Sequence, residues 1–104
     1  MESQIYAEIA RVLEDARIPY VREFVLGPRS RIDFYCPSAG VGIEVKKGKP
    51  NRAAVTRQVT RYCGYARIEG LILVVERSLV GHPSSCAGKP VCYVPLNKQW
   101  GLAL

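Results

Sequence analysis

Apolar and polar residues alternate along the 104-residue chain in two rhythms, one helical and one extended. Over residues 2–17, Ile5, Ile9, Val12, Leu13 and Ala16 recur at helical spacing and predict one apolar stripe, ended by Ile18-Pro19. Residues 20–26 are β-branched and aromatic and stop at Gly27-Pro28, which predicts a strand and a turn. A second strand is predicted over 31–36, broken by Pro37-Ser38-Ala39-Gly40. In 41–46 the alternation is strict: Val41, Ile43 and Val45 point one way, and Gly42, Glu44 and Lys46 the other. Together these predict an antiparallel meander. Past Gly48-Lys49-Pro50-Asn51, Val55, Val59, Tyr62, Cys63 and Ala66 form a second helical stripe within 52–66, with Arg57 and Arg61 opposite it. The run Leu71-Ile72-Leu73-Val74-Val75 is apolar on both faces, as in a covered central strand. Residues 78–89 read as a loop, and 91–96 as a last short strand. The expected fold is a single α/β domain over 1–104, a mixed β-sheet flanked by helices in the order α-β-β-β-α-β-β.

Charge sharpens this picture. The formal net charge is +6, unevenly placed. Residues 1–44 carry seven acids and five bases, whereas 45–104 carry two acids and ten bases. Lys46, Lys47, Lys49, Arg52, Arg57, Arg61 and Arg67 follow one another with no acid between them. One-signed charge of this density is either a solvated face or a surface that meets a polyanion. No apolar run approaches the roughly 20 residues that span a bilayer, and the acidic, polar N-terminus lacks the pattern of a secretory signal. The expectation is a cytoplasmic, intracellular protein with no membrane partner. Cys36, Cys63, Cys86 and Cys92 show no Cys-x-x-Cys spacing, and free thiols are expected in a reducing compartment. His82 falls in a Gly-His-Pro loop, and Ser84-Ser85 has no partner that would make it a nucleophile.

The chemistry-bearing residues lie in the meander. Asp33 sits in the middle of one predicted strand, with Glu44 and Lys46 two apart on the next and therefore on one face. If these strands pair, Asp33 meets Glu44 across them. Two carboxylates converging with a lysine suit a hard cation such as Mg²⁺, which takes one or two carboxylates and keeps its waters, while the ammonium orients an attacking water. Paired carboxylates also serve glycosidases, but the lysine and the basic field favour a phosphodiester.

Asp33, then Glu44-Val45-Lys46, then a helix carrying Gln58-x-x-x-Tyr62, resembles the PD-(D/E)xK nuclease superfamily, in particular its RecB-like and Holliday-junction-resolvase-like branches. The resemblance covers about residues 8–75 and implies a restriction-endonuclease-like core. It implies that Asp33, Glu44 and the main-chain carbonyl of Val45 hold Mg²⁺, for which Mn²⁺ can substitute, and that Lys46 is the catalytic lysine. It implies a further metal-approaching glutamate on the first helix, for which Glu8 is the best match, since Glu14 points away from the stripe. A solvated helix glutamate is the alternative. Gln58, a catalytic candidate, sits at the edge of the second stripe facing the pocket, with Tyr62 one turn on. A surface glutamine and a packed tyrosine are the plain alternative. Ile32 stands where the superfamily often has proline. Cys86-x5-Cys92 resembles part of the iron–sulfur ligand set of some RecB-like members, but Pro83 occupies a ligand position and no cluster is expected.

The expected function is a Mg²⁺-dependent DNA endonuclease, structure-directed towards branched DNA or partner-directed. Arg29, Arg31, Lys47, Lys49, Arg52, Arg57, Arg61 and Tyr62 are the candidate DNA contacts. A domain this small is expected to work as a homodimer or with a partner protein, and residues 91–104, with Tyr93, Trp100, Leu102 and Leu104, either supply that interface or close the core. The alternatives are a general exonuclease or nickase, such as a phage or mobile element would use, and a non-catalytic DNA-binding module.

Overall fold

The computed structural model describes residues 2–48, 51–76 and 83–95. They form α1 (Glu2–Asp15), β1 (Val21–Gly27), β2 (Ser30–Cys36), β3 (Val41–Lys46), α2 (Arg52–Cys63), β4 (Gly70–Val75), β5 (Ser85–Cys86) and β6 (Lys89–Pro95). The strands make one mixed sheet in the order β1-β2-β3-β4-β6-β5. β1, β2 and β3 are the predicted antiparallel meander. The chain then crosses through α2, so β4 pairs parallel to β3, and β6 pairs parallel to β4. β4 is thus covered on both edges and both faces, which is why all of Leu71 to Val75 is apolar.

The helices lie on opposite faces. Ile9 and Leu13 of α1 pack with Phe34, Cys36, Ile43, Val45 and Val74. Val55, Val59, Tyr62 and Cys63 of α2 pack with Ile32, Tyr35, Leu71, Leu73, Val75 and Val91. None of the described helices is long and apolar enough to cross a membrane.

Four local expectations change. The buried stripe of α1 runs through Ile5, Tyr6, Ile9, Ala10 and Leu13, while Val12 is 44% exposed and Ala16 lies beyond the helix end. The helix is rotated towards Tyr6 because that ring lies 6.1 Å from Phe34, with the Arg22 guanidinium over both rings. α1 ends at Asp15 and not at Arg17: Arg17 takes a left-handed φ of 59°, its N–H donates to the Glu14 carbonyl, and Ile18 N–H donates to that of Leu13. This is the Schellman stop, usually made with glycine. α2 likewise ends at Cys63, leaving Ala66 exposed outside the helix. Its start is set by Asn51, whose side-chain oxygen accepts from Ala54 N–H at 2.9 Å. Within the expected loop, Ser85–Cys86 pairs back on Lys89 and Pro90, making β5 and β6 a hairpin turned at Ala87-Gly88. Residues 96–104, including Trp100, Leu102 and Leu104 of the expected interface, and His82 lie outside the described residues.

Candidate active site

The site is built where the meander stops being a regular ladder. β2 and β3 pair from Cys36↔Val41 to Phe34↔Ile43, and the pairing ends there. At the next position side chains replace the backbone bonds: Val45 N–H donates to Asp33 Oδ2 at 2.8 Å, and Asp33 N–H donates to Glu44 Oε1 at 3.2 Å. The carboxylates therefore satisfy the amides exposed by the parting strands, and in return are held at the mouth of the fork. A strand residue's N–H and C=O point to the same edge, so the Val45 carbonyl faces this gap as well.

A change of face in β2 produces the fork. Ile32 is buried with the α2-side core and Phe34 with the α1-side core, although regular alternation puts both on one side. Asp33 between them is turned into the plane of the sheet. On β1 the residue between the pairs Arg22↔Phe34 and Phe24↔Ile32 is Glu23, with a left-handed φ of 50°. Arg22 accordingly lies over Phe34 on the α1 side, while Phe24 stacks on Tyr35 of the α2-side core. Gly42 makes room for the crossing: a Cβ there would stand 2.4 Å from Ile32 Cδ1. Glu23, opposite the candidate catalytic carboxylate on the neighbouring strand, thus holds its irregular backbone at a place where local strain is commonly found.

Glu44 is 8% exposed and meets Lys46 Nζ at 3.6 Å. Burial, then repulsion from Asp33, raises the Glu44 pKa to about 7, against the opposing pull of Lys46. Burial also raises that of Asp33, although the Val45 amide and Lys46 oppose the shift. Two acids thus stand together where ionising both is unfavourable.

α2 closes one side. Gln58 Nε2 donates to Glu44 Oε2 at 3.3 Å and to Tyr62 Oη at 3.0 Å, and Tyr62 O–H donates to the Arg31 carbonyl at 3.2 Å. This chain ties the helix to β2 and β3. Two clefts open beside it: one of about 450 Å³ includes Glu44, Arg29, Arg31 and Arg61, and one of about 370 Å³ includes Lys46, Asn51 and Arg57. Gln58 and Arg61 line both. No acid forms an ion pair with Arg29, Arg57 or Arg61 among the described residues, whereas Arg31 pairs with Glu23 at 3.8 Å.

The expected set Asp33, Glu44, Val45, Lys46 and Gln58 is therefore brought together, but the structure departs from the reading at three other positions. Glu8 pairs with Arg11, which also binds Asp15 at 3.0 Å along the exposed side of α1. Among the described residues no three Asp, Glu, His or Cys side chains converge, so Glu8 does not join Asp33 and Glu44. Tyr62 is 2% exposed and packed in the core, which removes it from the DNA-contact set and makes it the anchor of Gln58. Arg61 is not opposite the buried stripe but on the Gln58 edge, where it lines the clefts. Lys47 and Arg52 are exposed, and Lys49 lies outside the described residues. The cysteines are free thiols, Cys36 and Cys63 buried on opposite sides of the sheet, Cys86 half-buried and Cys92 exposed. Sequence reading missed Ser30 and Glu23. The hint for Glu23 was Arg22, a cation in phase with Phe24 and Leu26 on what would otherwise be one apolar face. No family model, curated protein or solved structure matches this chain.

Proposed function

We propose that this protein is a metal-dependent deoxyribonuclease with a restriction-endonuclease-like core, cutting DNA at branched or otherwise structured sites. The observation that carries the reading is the fork: Asp33 and Glu44 cross-bonded to each other's strands, with Lys46 beside them and arginine-lined clefts alongside. The donor set fits a hard divalent cation. Asp33 and Glu44 each keep one oxygen off the cross-strand backbone bonds, the Val45 carbonyl faces the same gap, and burial disfavours the ionised pair, a cost that a bound cation would offset. Mg²⁺ or Mn²⁺, when bound, supplies Lewis-acid stabilisation of the scissile phosphate.

The remaining work belongs to the chain. Lys46 Nζ, 3.6 Å from Glu44, holds the attacking water in line and places a cation near the charge that develops on phosphorus. Gln58 fixes the orientation of Glu44, and Tyr62 fixes Gln58. Arg29, Arg31 and Arg57 hold backbone phosphates, contacts that supply affinity but no sequence information. Recognition by DNA shape, by a second copy or by a partner follows from a site with this lining.

The test is cleavage of supercoiled plasmid, linear duplex, flap and four-way junction in Mg²⁺, Mn²⁺ or EDTA. Wild-type protein cuts only with a divalent cation, preferring the branched substrates. Asp33→Asn and Lys46→Ala lose on the order of 10²–10³ in rate, the usual effect of removing a charged group that stabilises the transition state. Undiminished cutting by Asp33→Asn sinks the mechanism, and a salt-sensitive mobility shift without cutting identifies a non-catalytic DNA-binding module.

A further inference from the structure

The basic residues around the fork are not equivalent. Arg61 Nε donates to Ser30 Oγ at 3.0 Å, and that oxygen also accepts from Tyr65 O–H at 3.1 Å. Ser30 is 2% exposed, so this anchor is buried and its position fixed by the β1–β2 turn. The guanidinium lies 5.5 Å over the Tyr62 ring. Arg61 is therefore held by a neutral hydroxyl and a ring face, with no carboxylate among the described residues to neutralise it. A structural arginine ordinarily spends its charge on a carboxylate. This one is oriented and left charged. With Nε engaged, the remaining four N–H donors stay available to a planar or tetrahedral oxyanion.

Its place is equally specific. Arg61 and Gln58 form the divide between the cleft that includes Glu44 and the one that includes Lys46. Among the described residues, Tyr62 is the only aromatic residue in either lining, and it is buried in the core, so these residues offer no platform for stacked bases. Resting on the nuclease reading above, we infer that Arg61 is the preorganised phosphate site of this surface. It binds the phosphodiester next to the scissile one and carries the sugar–phosphate backbone across α2 at Gln58, from the Arg29 cleft to the Arg57 cleft. Arg57 and Arg29 add charge around this path, whereas Arg61 sets where the strand lies.

Binding without catalysis tests this separately from cleavage. Anisotropy of a short labelled single strand and of the matching duplex is measured in EDTA over a salt series. Arg61→Gln weakens binding roughly tenfold and lowers the salt slope by about one, as expected for a lost phosphate contact. Arg61→Lys keeps the slope but loses several-fold in affinity, because a lysine cannot hold Ser30 and present a fork of donors together. Arg57→Gln costs only about two- to threefold, as a mobile contact that adds charge alone. Ser30→Ala behaves like Arg61→Lys, and the lysine variant carries the test if Ser30→Ala does not fold. The inference is overturned if Arg61→Gln is no worse than Arg57→Gln, if Arg61→Lys matches the wild type, or if the wild type binds neither probe. Protein that binds with this dependence yet cuts nothing defeats the nuclease reading and leaves the phosphate site standing. Protein that cuts branched DNA normally with Arg61→Gln defeats the site alone.

Discussion

Glu8 and Asp15 on α1, and Asp33 and Glu44 at the fork, are the same two residue types under opposite physical conditions. The first pair flanks Arg11 on an exposed helix side, where solvent screens both charges and a guanidinium compensates them. The second pair is withdrawn from water, placed on converging strands, and given one lysine at 3.6 Å from Glu44. The α1 acids are ordinary surface chemistry. Those at the fork are held with their charge incompletely compensated, an arrangement that stability alone does not favour. This difference in compensation, not a difference in composition, separates a solvated charge cluster from a pair of buried acids held at raised pKa.

The most direct way to break the comparison is to remove the charge at Glu44. Its folded pKa of about 7 lies above the ordinary 4.5, so the folded protein binds that proton more tightly than the unfolded chain does. Stability contributed by the protonated form is complete below about pH 4.5 and is lost as pH rises through about 7. Glu44→Gln is therefore expected to stabilise the metal-free protein at pH 8 by on the order of 2 kcal/mol, and to have little effect at pH 4, read by thermal melts at both values. An equal effect at the two pH values would show that Glu44 is not held in the raised state.

Restoring the charge from outside is the next largest effect. At pH 8, Mg²⁺ or Mn²⁺ at about ten times its dissociation constant raises wild-type stability by roughly 1.4 kcal/mol and leaves the Glu44→Gln melt almost unmoved. A smaller effect comes from Tyr62→Phe, which strips the buried hydroxyl from the Gln58–Tyr62–Arg31 chain and costs about 1 kcal/mol by denaturant titration. The activity of this variant falls more than its stability requires, because Gln58 loses its fixed orientation. Smallest of all, Glu8→Gln and Arg11→Ala leave the thermal melt almost unmoved and cleavage within a few-fold of wild type. A large loss of cleavage in Glu8→Gln would bring α1 into the site and erase the contrast.

How much was legible followed the regularity of each element. The strict alternation of Val41, Ile43 and Val45 against Gly42, Glu44 and Lys46 placed the last two on one shared face, because a regular strand has only two faces, and the structure makes that face the α2 side. The stripe of α2 was readable to Cys63 for the same reason. The stripe of α1 was not, since two neighbouring helical phases offer apolar residues and the Tyr6 contact with Phe34 chooses between them. Arg17 and Glu23 adopt left-handed conformations that no glycine announces. Both lie where neighbouring elements over-determine the backbone.

By itself the sequence determined the meander, the crossover helix, the covered central strand, and the shared face of Glu44 and Lys46. Periodicity and local turn chemistry act over a few residues and need no partner. The tertiary structure decided the rest: that β2 changes face at Asp33, that the fork opens there, that Glu8 stays with Arg11, and that Ser30 takes hold of Arg61 from 31 positions away. These outcomes depend on contacts between elements, and a carboxylate or guanidinium acquires its role only when packing has settled which neighbours replace water around it.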